Sequence, residues 1–334
     1  MSRSHLLVTL LLAGAAASTL AGEPGGVPPP RVHAAVYLVR GSVVGSNVGA
    51  YGPYVRESDT TWRRISRSNL ITFGFAAHVR DAERRLYVAA GNGLHRSTDD
   101  GATWKIITGW KTMEIMSVLP DAHDAKRVLV SSPWGVYRTT DDGATWHESM
   151  KGMRSWYVRS LAYDLYSTGT IYAKTEDDIY STSDRGMSWR PMRTGKGVVT
   201  AFLQIPPSPG RFLAAFEDQG IRLTTDGGKT WRQTETPSQT SIYAIAASAD
   251  GRVMYAGGWK SGVWRSTNGG MRWEQLWRDD AVESFFCFLV DPERPEHVYA
   301  GTDGNGVYES SDGGVHWSFA GLRGGKIKHL FVYP

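Results

Sequence analysis

The chain has 334 residues, of which 37 are Lys or Arg and 33 are Asp or Glu, for a formal charge of +4 with neutral histidines. So small an excess, spread among many acids, is not the footprint of a nucleic-acid binder, and the single cysteine, Cys287, excludes an intrachain disulfide framework. One compact domain accounts for the length and can bury roughly three quarters of its unfolded surface.

From the N-terminus, residues 1–22 carry one early cation, Arg3, an apolar run over 6–17 and small residues up to Ala21. This is the layout of a secretory signal peptide, and we expect cleavage after Ala21 and a periplasmic or secreted protein. The apolar run is too short to cross a bilayer comfortably, and no later segment reads as a membrane span. Removing Arg3 with the leader takes the formal charge from +4 to +3. Residues 23–32, rich in Pro and Gly, read as a stiff spacer. Residues 33–334 read as a single repeat domain, expected to be a monomer. Cys287, in the apolar run 285–290, reads as a core filler.

The domain repeats one turn. Residues 97–104 read Ser-Thr-Asp-Asp-Gly-Ala-Thr-Trp, and the same spacing of hydroxyl residue, Asp or Asn, Gly and Trp returns at 139–146, 182–189, 224–231, 266–273 and 310–317. The conserved spacing is carried by Asp99 and Trp104, Asp141 and Trp146, Asp184 and Trp189, Asp226 and Trp231, Asn268 and Trp273, and Asp312 and Trp317. A shortened copy at 57–62 keeps Asp59 and Trp62. The seven tryptophans are spaced 42, 42, 43, 42, 42 and 44 residues apart, a period that marks stacked supersecondary units. The hydroxyl and the carboxylate are placed to take hydrogen bonds from the turn's own backbone N–H groups, and the Gly supplies positive φ.

Around each turn the same four short β patterns recur. Innermost strands are expected at 71–77, 115–119, 158–163, 198–205, 242–247 and 285–290. Second strands follow at 86–90, 128–132, 171–175, 212–216, 253–257 and 298–302, and third strands at 93–97, 135–139, 178–182, 220–224, 262–266 and 306–310. After Trp317 one more innermost strand, 327–333, has no partners of its own, while the N-terminal segment offers a second strand at 35–39, a third at 54–57 and a fourth at 61–65. The expected fold is therefore all-β: a seven-bladed β-propeller of four-stranded blades, with one blade shared between the N- and C-termini so that no sheet edge is left open. That closure brings Tyr333 toward Tyr37.

The repeated turn resembles the Asp-box, or bacterial neuraminidase repeat, over residues 33–334. The resemblance implies a propeller in which each turn joins the third and fourth strands of a blade. It leaves function open, because such repeats occur in sialidases, xyloglucan hydrolases, sortilin-type receptors and the photosystem II assembly factor family.

In such a ring, the loops between blades and those joining second to third strands share one end, where ligands are expected. The candidate ligand-binding residues there are Trp110, Trp134, Arg154, Trp156, Tyr157, Arg159, Trp259 and Lys260, beside Arg67, Asn69, Lys111, Lys196, Tyr243, Lys326, Lys328 and the 41–52 loop. Trp, Tyr and Arg dominate binding hot spots, which points to a protein partner or a glycan. Catalysis has little to stand on. Glu114 and Glu283 are the weak candidates for the two carboxyls of a glycoside hydrolase. The sialidase Arg-Ile-Pro motif is missing near the start, and xyloglucan hydrolases of this repeat class resemble two propellers facing across a cleft where this chain has one. The histidines show no metal-ligand spacing, and no nucleophile elbow or phosphate loop appears. The sequence thus implies no metal or cofactor.

Overall fold

The computed structural model describes residues 31–39, 52–65, 70–78, 85–109, 112–167, 169–235 and 241–333. The leader, most of the spacer and most of the 41–52 loop lie outside them. No helix among the described residues is long and apolar enough to cross a membrane.

Every described element is a strand, and the strands form seven antiparallel sheets of four. The N-terminal segment supplies β1 (Arg31–Val39), β2 (Gly52–Arg56) and β3 (Trp62–Arg64). Blade 2 holds β4 (Thr72–His78), β5 (Arg85–Ala90), β6 (Gly93–Ser97) and β7 (Lys105–Ile106). Blade 3 holds β8 (Ser117–Pro120), β9 (Val128–Ser132), β10 (Gly135–Thr139) and β11 (His147–Glu148). Blade 4 holds β12 (Val158–Tyr163), β13 (Ile171–Thr175), β14 (Ile179–Thr182) and β15 (Arg190–Pro191). Blade 5 holds β16 (Val199–Gln204), β17 (Phe212–Phe216), β18 (Gly220–Thr224) and β19 (Arg232–Gln233). Blade 6 holds β20 (Ile242–Ala247), β21 (Met254–Gly258), β22 (Val263–Ser266) and β23 (Glu274–Trp277). Blade 7 holds β24 (Phe285–Val290), β25 (Val298–Thr302), β26 (Val307–Ser310) and β27 (Ser318–Gly321). The last strand, β28 (Gly325–Tyr333), returns to pair with β1 and completes blade 1 in the order β28-β1-β2-β3.

The closure agrees with expectation in topology and differs in register. β1 begins at Arg31, two residues inside the expected spacer, and the two strands run antiparallel, so Tyr333 faces Arg31 and Gly325 faces Val39. Tyr333 and Tyr37 therefore stand toward opposite ends of the ladder.

The apolar core is divided among the blade interfaces. One cluster joins Leu203, Ile221 and Leu223 of blade 5 to Ile245, Met254 and Trp273 of blade 6, and another joins Leu119, Leu129 and Val136 of blade 3 to Leu161, Tyr180 and Trp189 of blade 4. The repeated tryptophan is part of this mortar. Its indole N–H reaches back to the preceding blade at Trp62 (Ala320 O, 2.7 Å), Trp146 (Ile107 O, 2.8 Å) and Trp189 (Ser149 O, 2.8 Å), while Trp273 and Trp317 donate to their own turn glycines, Gly270 and Gly314.

The turn chemistry is as the residue types require. At 97–104, Ser97 Oγ accepts from Gly101 N at 2.9 Å and donates to Asp99 Oδ1 at 2.7 Å, while Asp99 accepts from Thr103 N at 2.8 Å and from the Thr103 hydroxyl at 2.5 Å. The turn glycines at 101, 143, 186, 228, 270 and 314 hold φ between 82° and 87°, where a Cβ would be strained. The Thr103 hydroxyl, with the Thr103 and Ser97 groups behind it, draws the Asp99 carboxyl down to about 2, and Thr145 does the same for Asp141.

Acid sensitivity follows from two sets of groups. Burial pushes His33 on β1 and His329 on β28 down to about 4, and His33 stacks on Phe331 at 4.9 Å. In the unfolded chain both imidazoles take protons near pH 6.5, so unfolding gains protons and stability falls as pH drops from about 6.5 toward 4. The turn carboxylates act lower: their contribution is present above the unfolded value near 4 and is lost as pH falls toward about 2. Thermal midpoints measured from pH 7.5 to 3 are expected to decline from about pH 6.5 downward, with a shallower first arm in His33→Phe. A flat profile between pH 7 and 4.5 would contradict this assignment.

Candidate functional site

Antiparallel pairing puts the start of each innermost strand at the same end as the turn between second and third strands. In blade 4, Val158 at the head of β12 faces Thr175 at the tail of β13, and Lys174 faces Ile179 at the head of β14. Backbone bonds stitch these segments around the ring: Gly91 N to Ile71 O, Glu114 N to Gly91 O, Val199 N to Glu176 O, Glu217 N to Val198 O and Lys260 N to Glu283 O, at 2.7 to 3.0 Å. We call this end the channel face. The repeated Asp–Trp turns occupy the other end.

The channel face is unusually apolar. Of ten exposed large hydrophobic side chains among the described residues, six stand on it: Ile71, Met113, Trp134, Trp156, Val198 and Trp259. Trp134 is 50% exposed and Trp156 57% exposed, on neighbouring segments of blades 3 and 4. Beside them lie exposed Arg154, whose N–H donates to the Tyr180 hydroxyl at 3.3 Å, and half-buried Tyr157, whose ring sits 5.1 Å from the Arg159 guanidinium. Across the ring, Trp259 is 48% exposed with the Lys260 ammonium 4.7 Å from its ring, and its indole N–H donates to Glu283 Oε1 at 3.3 Å. The predicted residues thus fall into two groups, one at blades 3 and 4 and one at blades 6 and 7. Trp110, Lys111, Arg67 and Asn69 lie outside the described residues.

Glu114 and Glu283 are both exposed. They precede blades 3 and 7 on opposite sides of the ring, and the Glu283 carboxylate is engaged by Trp259. A retaining glycosidase sets its carboxyls about 5–5.5 Å apart and an inverting one about 6.5–9.5 Å apart; these two stand on loops three blades apart. Glu114 and Lys260 hold φ of 53° and 50°, a left-handed conformation that costs a non-glycine residue on the order of 1–2 kcal/mol. Both are pinned by the backbone bonds that tie turn to loop.

Below the rim, the innermost strands share an irregularity that the alternation of residue types does not reveal. Near the head of each, a β-bulge skips one residue in the pairing with the second strand: Phe73, Arg159, Thr200, Tyr243, Phe286 and Lys328 are passed over in this way. Met116 holds the equivalent place in blade 3, where its N–H and the pairing of Ser117 converge on Ser131. Bulges bend the strand and re-aim side chains; here they leave one partly exposed side chain per blade around the channel. Lys328 Nζ lies 3.4 Å from the Phe286 ring centroid, and the Phe286 and Tyr243 rings are 6.3 Å apart. Lys326 Nζ pairs with Asp303 at 2.7 Å.

Lys174 is the residue that sequence reasoning passed over, because it reads simply as part of a second strand. Its place in β13 corresponds to Ala89, Ser131, Ala215, Gly257 and Gly301 in the other fully aligned second strands. The reason for small residues is visible at Gly301, where an added Cβ would come within 2.5 Å of Cys287 Sγ and 2.8 Å of Ile327 in the next blade. A lone lysine in a column of small residues was the available signal.

Compared with protein-family models and with curated proteins, the chain matches none. Among solved structures it is similar to a GH74 xyloglucanase from Xanthomonas campestris, at 19% identity and a TM-score of 0.66, covering 92% of this chain and 53% of the enzyme. It is also similar to YCF48 bound to D1 peptide, at 20% identity and a TM-score of 0.53, covering 71% of this chain and 78% of that one. YCF48 from Cyanidioschyzon merolae aligns at 14% identity with a TM-score of 0.55, covering 75% and 85%. The chain therefore spans about half the length of the xyloglucanase. At these identities the likeness is one of fold, the seven-bladed propeller.

Proposed function

We propose that this protein is an exported, non-enzymatic Asp-box propeller that serves as a binding or assembly-scaffold module, gripping a protein partner on its channel face. The observation that carries this reading is the concentration of exposed indoles and aliphatic side chains at that end, flanked by Arg154 and Lys260. Exposed apolar groups gathered on one face of a soluble protein mark interaction sites, and aliphatic Ile71, Met113 and Val198 suit a protein surface better than a sugar. One of the similar structures carries a bound peptide, which supports the same use of the fold.

The test is capture from the native envelope fraction with the mature protein as bait. Wild-type bait is expected to retain a partner that bait carrying Trp134→Ala and Trp156→Ala does not. Retention indifferent to both changes, binding confined to a glycan array, or turnover of a glycoside abolished by Glu114→Gln or Glu283→Gln would each overturn the reading.

A further inference from the structure

We propose that the cleft between blades 3 and 4, at the end of the ring where the Asp–Trp turns stand, is an oxyanion site that takes a phosphate or sulfate group between Arg138 and Arg185. The cleft has a volume of about 220 Å³, and Arg127, Arg138, Arg185, Thr140 and Asp184 are among the residues that line it. That volume falls below the roughly 300–1,000 Å³ of drug-sized ligand sites and suits one tetrahedral group with its water. Arg138 is half-buried on β10, and Arg185 is exposed in the turn between β14 and β15.

The other blades show what belongs in this place. Of the six full Asp–Trp turns, three are preceded by arginine: Arg96, Arg138 and Arg265. Two of these reach the fourth residue of the next blade's turn. The Arg96 guanidinium bonds to the carboxylate and the carbonyl of Asp142, and that of Arg265 donates to Gly313 O at 3.0 Å. Arg138 holds the same ladder position in blade 3, but the fourth turn residue of blade 4 is another arginine, Arg185. Its φ is 58°, at a position that the other five full turns fill with Asp or Gly, which tolerate a left-handed backbone better. A cation thus stands where the pattern supplies an acceptor, and neither the Arg138 nor the Arg185 guanidinium has a hydrogen bond or ion pair among the described residues.

The nearby carboxylates are committed. Arg127 is held by Asp121 at 3.4 Å and Asp124 at 3.6 Å. The carboxylate in the lining, Asp184, accepts from the Thr182 hydroxyl and from the N–H and hydroxyl of Ser188 in its own turn, at 2.6 to 2.9 Å. With Arg127 balanced, two guanidinium groups stand against that single carboxylate. A phosphate or sulfate group would supply the missing acceptors, because each guanidinium fork matches two oxygens at a time. A tetrahedral group offers oxygens to both blades at once more readily than a planar carboxylate, and the Thr140 hydroxyl adds a donor. The site lies at the opposite end of the ring from Trp134 and Trp156, so it does not depend on the protein-partner reading.

Isothermal titration of the mature protein with sulfate and with inorganic phosphate, at constant ionic strength, tests it. Saturable binding is expected, and acetate is expected to bind more weakly. Affinity is expected to fall about tenfold or more in Arg138→Gln and in Arg185→Gly, and to stay within about twofold of wild type in Arg96→Gln, one blade earlier. Arg185→Asp, which restores the pairing seen between Arg96 and Asp142, is expected to bind no sulfate. Both Arg185 variants are expected to melt no lower than wild type, which keeps a loss of binding apart from a loss of fold. Glucose 6-phosphate and glycerol 3-phosphate separate the sources: tighter binding of the esters than of inorganic phosphate assigns the group to a larger organic ligand, equal binding to a free ion. No saturable binding of any tetrahedral probe, full binding by Arg185→Asp, or a loss in Arg96→Gln equal to that in Arg138→Gln would overturn the proposal.

Discussion

Deleting residues 327–334 is expected to abolish cooperative thermal unfolding. The deletion removes Ile327, Leu330 and Phe331, which are 0%, 4% and 5% exposed. The first two pack at the interface of blades 7 and 1 and the third at that of blades 1 and 2. At about 1.5–3 kcal/mol for each fully buried side chain, the direct loss alone rivals a typical total stability of about 5–15 kcal/mol. The loss does not stop there. β1 would expose a strand edge to the channel, and the interfaces of blade 1 with both of its neighbours would lose their innermost strand. Differential scanning calorimetry is expected to show no cooperative peak. An unchanged melting temperature would mean that β28 is dispensable and the ring closes otherwise.

Trp189→Ala costs about 3–5 kcal/mol in urea unfolding, the usual range for emptying a buried aromatic site. Trp189 is 2% exposed, packs with Leu129 and Leu161 across the interface of blades 3 and 4, and donates to Ser149 O in the blade before it. Trp189→Phe keeps most of the volume but leaves that buried carbonyl short of a donor, so about 1–3 kcal/mol is expected. Trp156→Ala, at an exposed position, is expected within about 0.5 kcal/mol of wild type. This difference separates the tryptophans that hold the blades together from those that face outward. Equal costs at the two positions would erase it.

The period of the tryptophans made the blade number legible, and the unpartnered strand after Trp317 made the shared blade legible. Strand limits were less so. The innermost strand of blade 3, expected at 115–119, is Ser117–Pro120, because Ile115 and Met116 are spent on bonds to Ala90 and Ser131 that lock the loop to its neighbours. The site was legible where it is made of loop residues, since a tryptophan in a polar turn stands out. Arg159 and Lys328 were legible as residues of that face, but their equivalence was hidden, because they occupy matching places only once the skipped residue in each ladder is known. Lys174 was hidden for a related reason. Its neighbours Tyr172 and Ala173 mark it as an ordinary strand residue, and only the tight approach of the next blade shows why a long cation there is out of keeping.

The affinity of the captured partner for two double variants is the most direct measure of the central claim, that the channel face of the closed ring is the binding surface. Trp134→Ala with Trp156→Ala is expected to weaken binding at least about a hundredfold, as two hot-spot indoles would. Met187→Ala with Val315→Ala, exposed in the repeated turns of the opposite face, is expected to change it less than about twofold. The reverse pattern would place the binding surface on the Asp–Trp turns and contradict the account.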